Sequence, residues 1–284
     1  MNTNTLQEIA DDILFRLSRP RIREIQGFRM WINTKEPSYS FRKTLRYYDK
    51  VEAHEPSTTK IFKKIVKQGN VVVDIGANMG YFSLLAKSLG AEVYAYEPEP
   101  KSYGYLVKNA EINNYNITAR SSAISNILGK ERFYFCSYDS GHHTLKQNKG
   151  IKDYRKTSLI RKCMDLFQKK YIDIFTTTLD DEIKERVDVI KMDCEGSELL
   201  AIKGMSRILM ENKDLKMIIE FFPLLLEKMG SNPKDLFDIL NNRFKIYIIP
   251  NDYSAQKGLR VDSYLDLMKH LTKVDSHLNL FLTK

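Results

Sequence analysis

Three consecutive valines, Val71-Val72-Val73, run straight into Asp74-Ile75-Gly76. A β-branched run with no polar position has no face to give to water, so its strand must be covered on both sides, as in a parallel sheet flanked by helices. The surrounding sequence fits that demand. Ile61 to Val66 reads as a helix closed at Gly69, Gly80 to Ser88 as a helix, and Glu92 to Tyr96 as a second strand. Lys101 to Asn113 is helical, Ile117 to Ser121 and Arg132 to Cys136 extended, and Leu179 to Ile183 helical. Val187 to Met192 is a buried strand, followed by a helix from Ser197 to Met210 and a strand from Lys216 to Phe221. Pro233 to Asn241 is a helix; Phe244 to Ile249 and Leu278 to Leu282 close the pattern as strands. Repeated βα alternation predicts a doubly wound α/β sheet with one ligand crevice at the carboxyl ends of its strands.

Charge first points elsewhere. The 284 residues carry a formal net charge of +9, which taken alone suggests an anionic partner such as nucleic acid or a membrane surface. The excess is local, however. Residues 146–171 hold nine basic and two acidic side chains, and residues 1–50 are net +4, whereas 172–284 are net −3. Residues 1–50 show helical spacing at Ile9, Ile13, Leu14 and Leu17 and read as a helical N-terminal extension; 51–284 read as the main domain, with 146–171 a basic insertion. The insertion suits a helical lid over an acceptor pocket, an anion-recognising surface, or a membrane or nucleic-acid contact, in that order. With 43% hydrophobic residues, disorder is excluded. No apolar run approaches the roughly 20 residues of a membrane span. Residues 1–10 lack a basic-then-apolar leader, and three distant cysteines (Cys136, Cys163, Cys194) form no disulfide or zinc pattern, so a reducing cytoplasm is expected.

The chemistry concentrates at Val73-Asp74-Ile75-Gly76-Ala77-Asn78-Met79-Gly80-Tyr81, where the buried strand turns into a helix. Gly76 permits a tight turn, and Gly80 a close ligand approach. Glu97 ends the next strand, 23 positions after Asp74, where a carboxylate can accept both hydroxyl protons of a ribose. The dinucleotide fingerprint fails, because the required later glycines are Asn78 and Tyr81. The GxxxxGK[ST] phosphate loop fails too, for want of a Lys-Ser/Thr pair after Gly80. An acidic turn without basic residues suits a cationic nucleoside, and S-adenosylmethionine fits: ribose, sulfonium and zwitterionic amino-acid end.

These residues, with Phe82, resemble the first motif of FkbM-family S-adenosylmethionine-dependent methyltransferases. Tyr96-Glu97-Pro98 is similar to the family's second motif, and Ser122-Ala123-Ile124-Ser125 to its Ala-centred motif. Ile190-Lys191-Met192-Asp193-Cys194-Glu195-Gly196-Ser197-Glu198 resembles its Lys-x-Asp-x-Glu-Gly-x-Glu signature, and Ile219-Glu220 the strand that follows. The resemblance covers about residues 52–223. It implies a class I methyltransferase, Rossmann-like fold with a mostly parallel seven-stranded sheet and one antiparallel hairpin strand. It also implies that Asp74, Gly76, Ala77, Asn78, Gly80 and Tyr81 hold the methionine end of the cofactor, Glu97 and Pro98 the ribose, and Ser122 and Ala123 the adenine edge. Methyl transfer to oxygen is implied, on varied acceptors.

Asp193 sits where a buried strand opens into the crevice, and is expected to serve both cofactor and catalysis. Lys191, alone among apolar residues, could snorkel, pair with a carboxylate or help catalysis. Glu195 and Glu198 open the next helix, where acids complement its dipole, and the dipole accounts for Glu198. Removing the proton of a hydroxyl acceptor needs a base. His142 and His143, adjacent in the loop from Ser140 to Leu145, are the candidates, against plain exposed loop histidines. His54 could lie near the cofactor's amino-acid end. Acids flanking Cys194 disfavour a thiolate. No HxH, HExxH or DxD cluster is present, so no metal is expected. The leading expectation is O-methylation of a small-molecule or glycan hydroxyl, the acceptor conceivably anionic. An RNA methyltransferase, or a cofactor-binding partner module without catalysis, are the alternatives. Asp-Cys-Glu-Gly in place of an Asn/Asp-Pro-Pro-aromatic motif disfavours nucleic-acid amino methylation.

Overall fold

A computed structural model describes residues 3–134, 171–250, 258–271 and 276–284. The expected βα alternation is present. β3 (Val71–Ile75) is followed by α4 (Tyr81–Ser88), β4 (Glu92–Tyr96), α5 (Pro100–Ile112) and β5 (Thr118–Arg120). β9 (Val189–Met192) and β10 (Lys216–Phe221) run parallel to β3, while β13 (Leu278–Thr283) returns antiparallel between β10 and β11 (Lys245–Ile248). β13 is the antiparallel hairpin strand that the resemblance implies.

The strand count differs from the seven expected. Among the described residues the main sheet has eight strands, in the order β12-β11-β13-β10-β9-β3-β4-β5. The eighth, β12 (Leu259–Val261), adds only three residues at the β11 edge, too few for a periodic signal, and is anchored by the fully buried Val261. A separate three-stranded sheet orders β6 (Ser122–Ile124), β8 (Tyr171–Thr177) and β7 (Gly129–Tyr134). The helix expected from Ser197 to Met210 is two, Glu198–Lys203 and Ser206–Glu211. They part around Gly204, where a Cβ would lie 1.9 Å from the Ser125 carbonyl oxygen.

Residues 1–50 also depart from expectation. They hold α1 (Thr3–Leu17) and α2 (Tyr39–Lys50), but between them a hairpin of β1 (Arg21–Ile25) and β2 (Phe28–Ile32). Gln26 and Gly27 both adopt positive φ, as a tight hairpin turn requires. Phe28, Met30 and Ile32 alternate inward, a period-2 signal hidden beside the helical spacing of α1. The extension shares a core with the sheet: Phe28, Met30, Ile32, Leu45 and Tyr48 cluster with Val72, Met79, Tyr81 and Leu84. Arg42 locks α1 to α2 by donating through Nε and Nη2 to the two oxygens of Asp12, at 3.0 and 2.8 Å. The basic segment lies outside the described residues except for Tyr171, which begins β8.

Candidate active site

The carboxyl ends of β4, β3, β9 and β10 open into one cleft of about 430 Å³, within the range of small-ligand sites. Its floor comes from the first turn. Beyond β3 the ladder continues, Gly76 and Ala77 donating to Tyr96 O at 2.9 and 3.1 Å, and Asp193 N to Ile75 O at 2.9 Å. Gly76 has φ of 78°, and a Cβ there would lie 1.8 Å from Asp193 O. The first glycine thus lets the end of β9 close on the turn. Gly80 serves packing, since its Cβ would meet Leu106 at 2.8 Å. Gly80 is not among the residues that line the cleft.

Glu97 lies almost buried at the end of β4. One carboxylate oxygen accepts Asn78 N at 2.7 Å, the other Glu99 N at 2.8 Å. These bonds aim it across the Gly76–Asn78 turn. Burial pushes its carboxyl up to about 8 despite the two donors. Asp74, equally buried, accepts from Ser83 Oγ at 2.6 Å and is raised by burial to about 6, with Ser83 and Lys191 working against the rise. Glu198 Oε1 accepts Cys194 N and Gly196 N, both at 3.2 Å, bracing the turn after β9, and burial raises it to about 7. Glu198 thus ties down the loop that precedes its helix, a contact beyond the dipole role expected of it. Burial and the neighbouring Glu198 and Asp193 keep the Cys194 thiol well above its ordinary range.

Lys191 is fully buried in β9, its ammonium 3.5 Å from Asp193 and 5.1 Å from the centre of the Phe82 ring. Burial alone would discharge it, but Asp193, Glu55, Asp74 and Glu220 outweigh burial and hold it charged. It is a fixed cation, and not a base. Asp193, Glu195 and Glu220 bring one oxygen each within 4.8 Å of one another, a spacing a divalent cation could bridge. Lys191 already supplies positive charge to this group. The sequence could not show the grouping, because Glu220 is 27 positions from Asp193 and only the β9–β10 register joins them.

Of the expected site residues, Asp74, Gly76, Ala77, Asn78, Tyr81, Glu97, Pro98, Ala123, Lys191 and Asp193 line the cleft. Ser122 does not, being half-buried in β6. Tyr81 lines it while packed against Tyr48 and Phe28, at 5.9 and 5.3 Å between ring centres. His142 and His143 lie outside the described residues. His54 does line the cleft, stacked edge-on to Tyr81. Further cleft-lining residues carried no assigned role in the sequence: Lys43, Thr44, Tyr47 and Tyr48 from α2, Glu55 before α3 (Pro56–Ile65), Glu220 and His277. Glu220 carried a usable signal, a lone charge inside an apolar strand; His277 carried none.

Four carboxyls raised by burial, Asp74, Glu97, Glu198 and Glu220, give the fold a pH dependence. Asp74, Glu97 and Glu198 hold their protons more tightly folded than unfolded, where carboxyls titrate near 4. Stability is therefore fully present below the unfolded values and is lost as pH rises through about 6 to about 8. The melting temperature of the ligand-free protein is expected to fall between pH 5 and 8.5, and Glu97→Gln to flatten the fall. A melting temperature that is level or rising over that interval would refute the upward shifts.

Residues 74–247, holding every cleft strand end from β3 to β10, match the family described as Methyltransferase FkbM domain. The chain belongs to the FkbM methyltransferase family. This FkbM-family chain is 28% identical over 156 residues to methyltransferase sdnD of Sordaria araneosa, covering 47% of this chain and 60% of that one. It is 28% identical over 160 residues to 31-O-demethyl-FK506 methyltransferase FkbM of Streptomyces tacrolimicus, covering 49% and 61%. The alignments thus span about three-fifths of these relatives. Among solved structures, FkbM methyltransferase from Methylobacillus flagellatus KT aligns with a TM-score of 0.43 and 17% identity, covering 98% of this chain and 60% of that one. Lys43, Thr44, Tyr47, Tyr48, His54, Glu55 and His277 all fall outside the matched FkbM span. Among the described residues no helix is long and apolar enough to cross a membrane.

Proposed function

We propose that this methyltransferase uses S-adenosylmethionine to methylate a hydroxyl of a small molecule or glycan, and that it works in the cytoplasm. The observation that carries this reading is the placement of Glu97, a buried carboxylate aimed across the Gly76–Asn78 turn into a cleft that also holds Asp193. The cofactor supplies an electrophilic methyl on a cationic sulfur. The residues fit it: Glu97 would hold the ribose diol, the Gly76–Asn78 backbone and Asp74 would face the amino-acid end, and Ala123 would border the base. Two buried polar atoms of cleft residues, Ser197 Oγ and Glu220 Oε2, have no hydrogen-bond partner among the described residues, as expected where a polar ligand completes the site.

The reaction is an in-line displacement, in which the protein's share is to align the acceptor oxygen, exclude water and receive a proton. The relative whose name gives 31-O-demethyl-FK506 as substrate supports an oxygen acceptor. Calorimetry with S-adenosylmethionine should give saturable binding. Transfer of labelled methyl should then reach pooled glycans or small hydroxyl compounds, survive EDTA, and be absent with RNA. No binding, or label only in RNA, would defeat the proposal.

A further inference from the structure

The cleft continues past the cofactor-type residues. Along the sheet, β4 carries Glu97, β3 leads to Gly76, β9 leads to Asp193, β10 carries Glu220, and β13 is entered from His277. Register places these last groups side by side: Ile219 faces Met192 across β9–β10, and Phe221 faces Leu278 across β10–β13. A nucleoside held at Glu97 extends over β3 toward β9, so the β10–β13 end is where an acceptor meets the methyl group.

That end has a histidine. His277 lines the cleft, its side chain about half exposed, with Nε2 3.7 Å from Glu220 Oε1 and the ring 5.7 Å from that of Phe222. The other Glu220 oxygen is buried without a hydrogen-bond partner among the described residues. Two positions on, Asn279 donates to Glu55 Oε2 at 3.1 Å, tying the β13 entry to the turn before α3. Beside the imidazole, the Glu220 carboxyl is pushed well above its ordinary range by burial, Asp193 and Glu198, with Lys191 opposing the rise and Glu55 adding to it; a proton arriving on His277 draws it back toward the ionised form. The other cleft histidine, His54, lies among Tyr47, Tyr48, Tyr81 and Phe82 and beside Glu55. His277 combines a carboxylate partner with access to solvent, which lets a received proton leave.

We propose that His277 is the general base for the acceptor hydroxyl and that Glu220 is its positioning residue; this rests on the O-methylation reading. As the acceptor oxygen forms its bond to the methyl carbon, the carbon–sulfur bond breaks and its electron pair stays on sulfur, which becomes a neutral thioether. The hydroxyl proton passes to the imidazole, whose positive charge Glu220 faces, and is then lost to water.

The test compares wild type, His277→Ala, His277→Gln and Glu220→Gln. Cofactor binding is measured by calorimetry, methyl transfer to catechol and methyl glucuronide across pH 5.5 to 9, and imidazole titration by NMR. His277→Ala and His277→Gln should bind S-adenosylmethionine within about threefold of wild type, yet lose transfer by roughly 10²-fold or more and lose the acidic limb of the pH profile. Glu220→Gln should shift that limb and the His277 titration together, with the cofactor Kd little changed. Wild-type transfer rates in the His277 variants, or a His277 titration that ignores Glu220→Gln, would overturn the proposal. If wild type methylates neither probe, the O-methylation reading is what fails on them, and the NMR coupling and cofactor Kd decide on His277 alone.

Discussion

Replacing Gly76 by alanine is expected to abolish S-adenosylmethionine binding and to lower the melting temperature by roughly 7 °C, about 4 kcal/mol for a chain of this size. The new methyl would sit 1.8 Å from Asp193 O and 2.8 Å from Asp193 C, both backbone atoms held by the β3–β9 ladder. No rotamer can relieve an overlap with backbone. The φ of 78° adds the left-handed penalty that any side chain bears, on the order of 1–2 kcal/mol. The strand end and turn must separate, and with them Asp193 and Glu97. Thermal denaturation and calorimetry read both effects. A variant that melts and binds like wild type would show that the turn does not depend on this approach. Gly80→Ala is the useful contrast, because its clash is with the Leu106 side chain, which can shift.

The second large effect belongs to Glu97. If it holds the ribose, Glu97→Ala removes two charge-assisted hydrogen bonds worth roughly 1.5–3 kcal/mol each, weakening cofactor affinity by about two to four powers of ten. The fold should survive, since the orphaned Asn78 and Glu99 amides can turn to water in the emptied cleft. The raised carboxyl gives a second signature. Ligand hydroxyls favour the ionised form, so binding near neutrality should release a proton and tighten as pH approaches about 8. Calorimetry in two buffers of different ionisation enthalpy measures that release, and Glu97→Ala should erase it. Unchanged affinity would remove Glu97 from the site.

How much of this was legible in the sequence follows from what each element depends on. The three valines, the turn and Glu97 declared themselves because buried parallel strands and tight turns leave local signatures. The exceptions were settled by partners distant in sequence. Gly204 breaks a helix because the Ser125 carbonyl passes over it. The Phe28–Ile32 strand is fixed by alternate burial against the sheet's core, where short-range spacing suggested helix. Gly80 looked like a ligand glycine and is a packing one. Glu220 and His277 reach the cleft through register alone, and no spacing rule joins positions 193, 220 and 277.

Helix α2 shares a packed interior with β3 and also lends Lys43, Thr44, Tyr47 and Tyr48 to the cleft lining. The residues proposed to grip the donor are drawn from 74–247, whereas Lys43, Thr44, Tyr47, Tyr48, His54, Glu55 and His277 reach the same cleft from segments before and after them. Substitutions at Lys43, Thr44 and Tyr47 therefore change the cleft lining outside the residues proposed to grip the donor. A version trimmed to the shared family region would forfeit both these lining residues and the part of its buried core that Phe28, Met30, Ile32, Leu45, Leu280 and Leu282 supply.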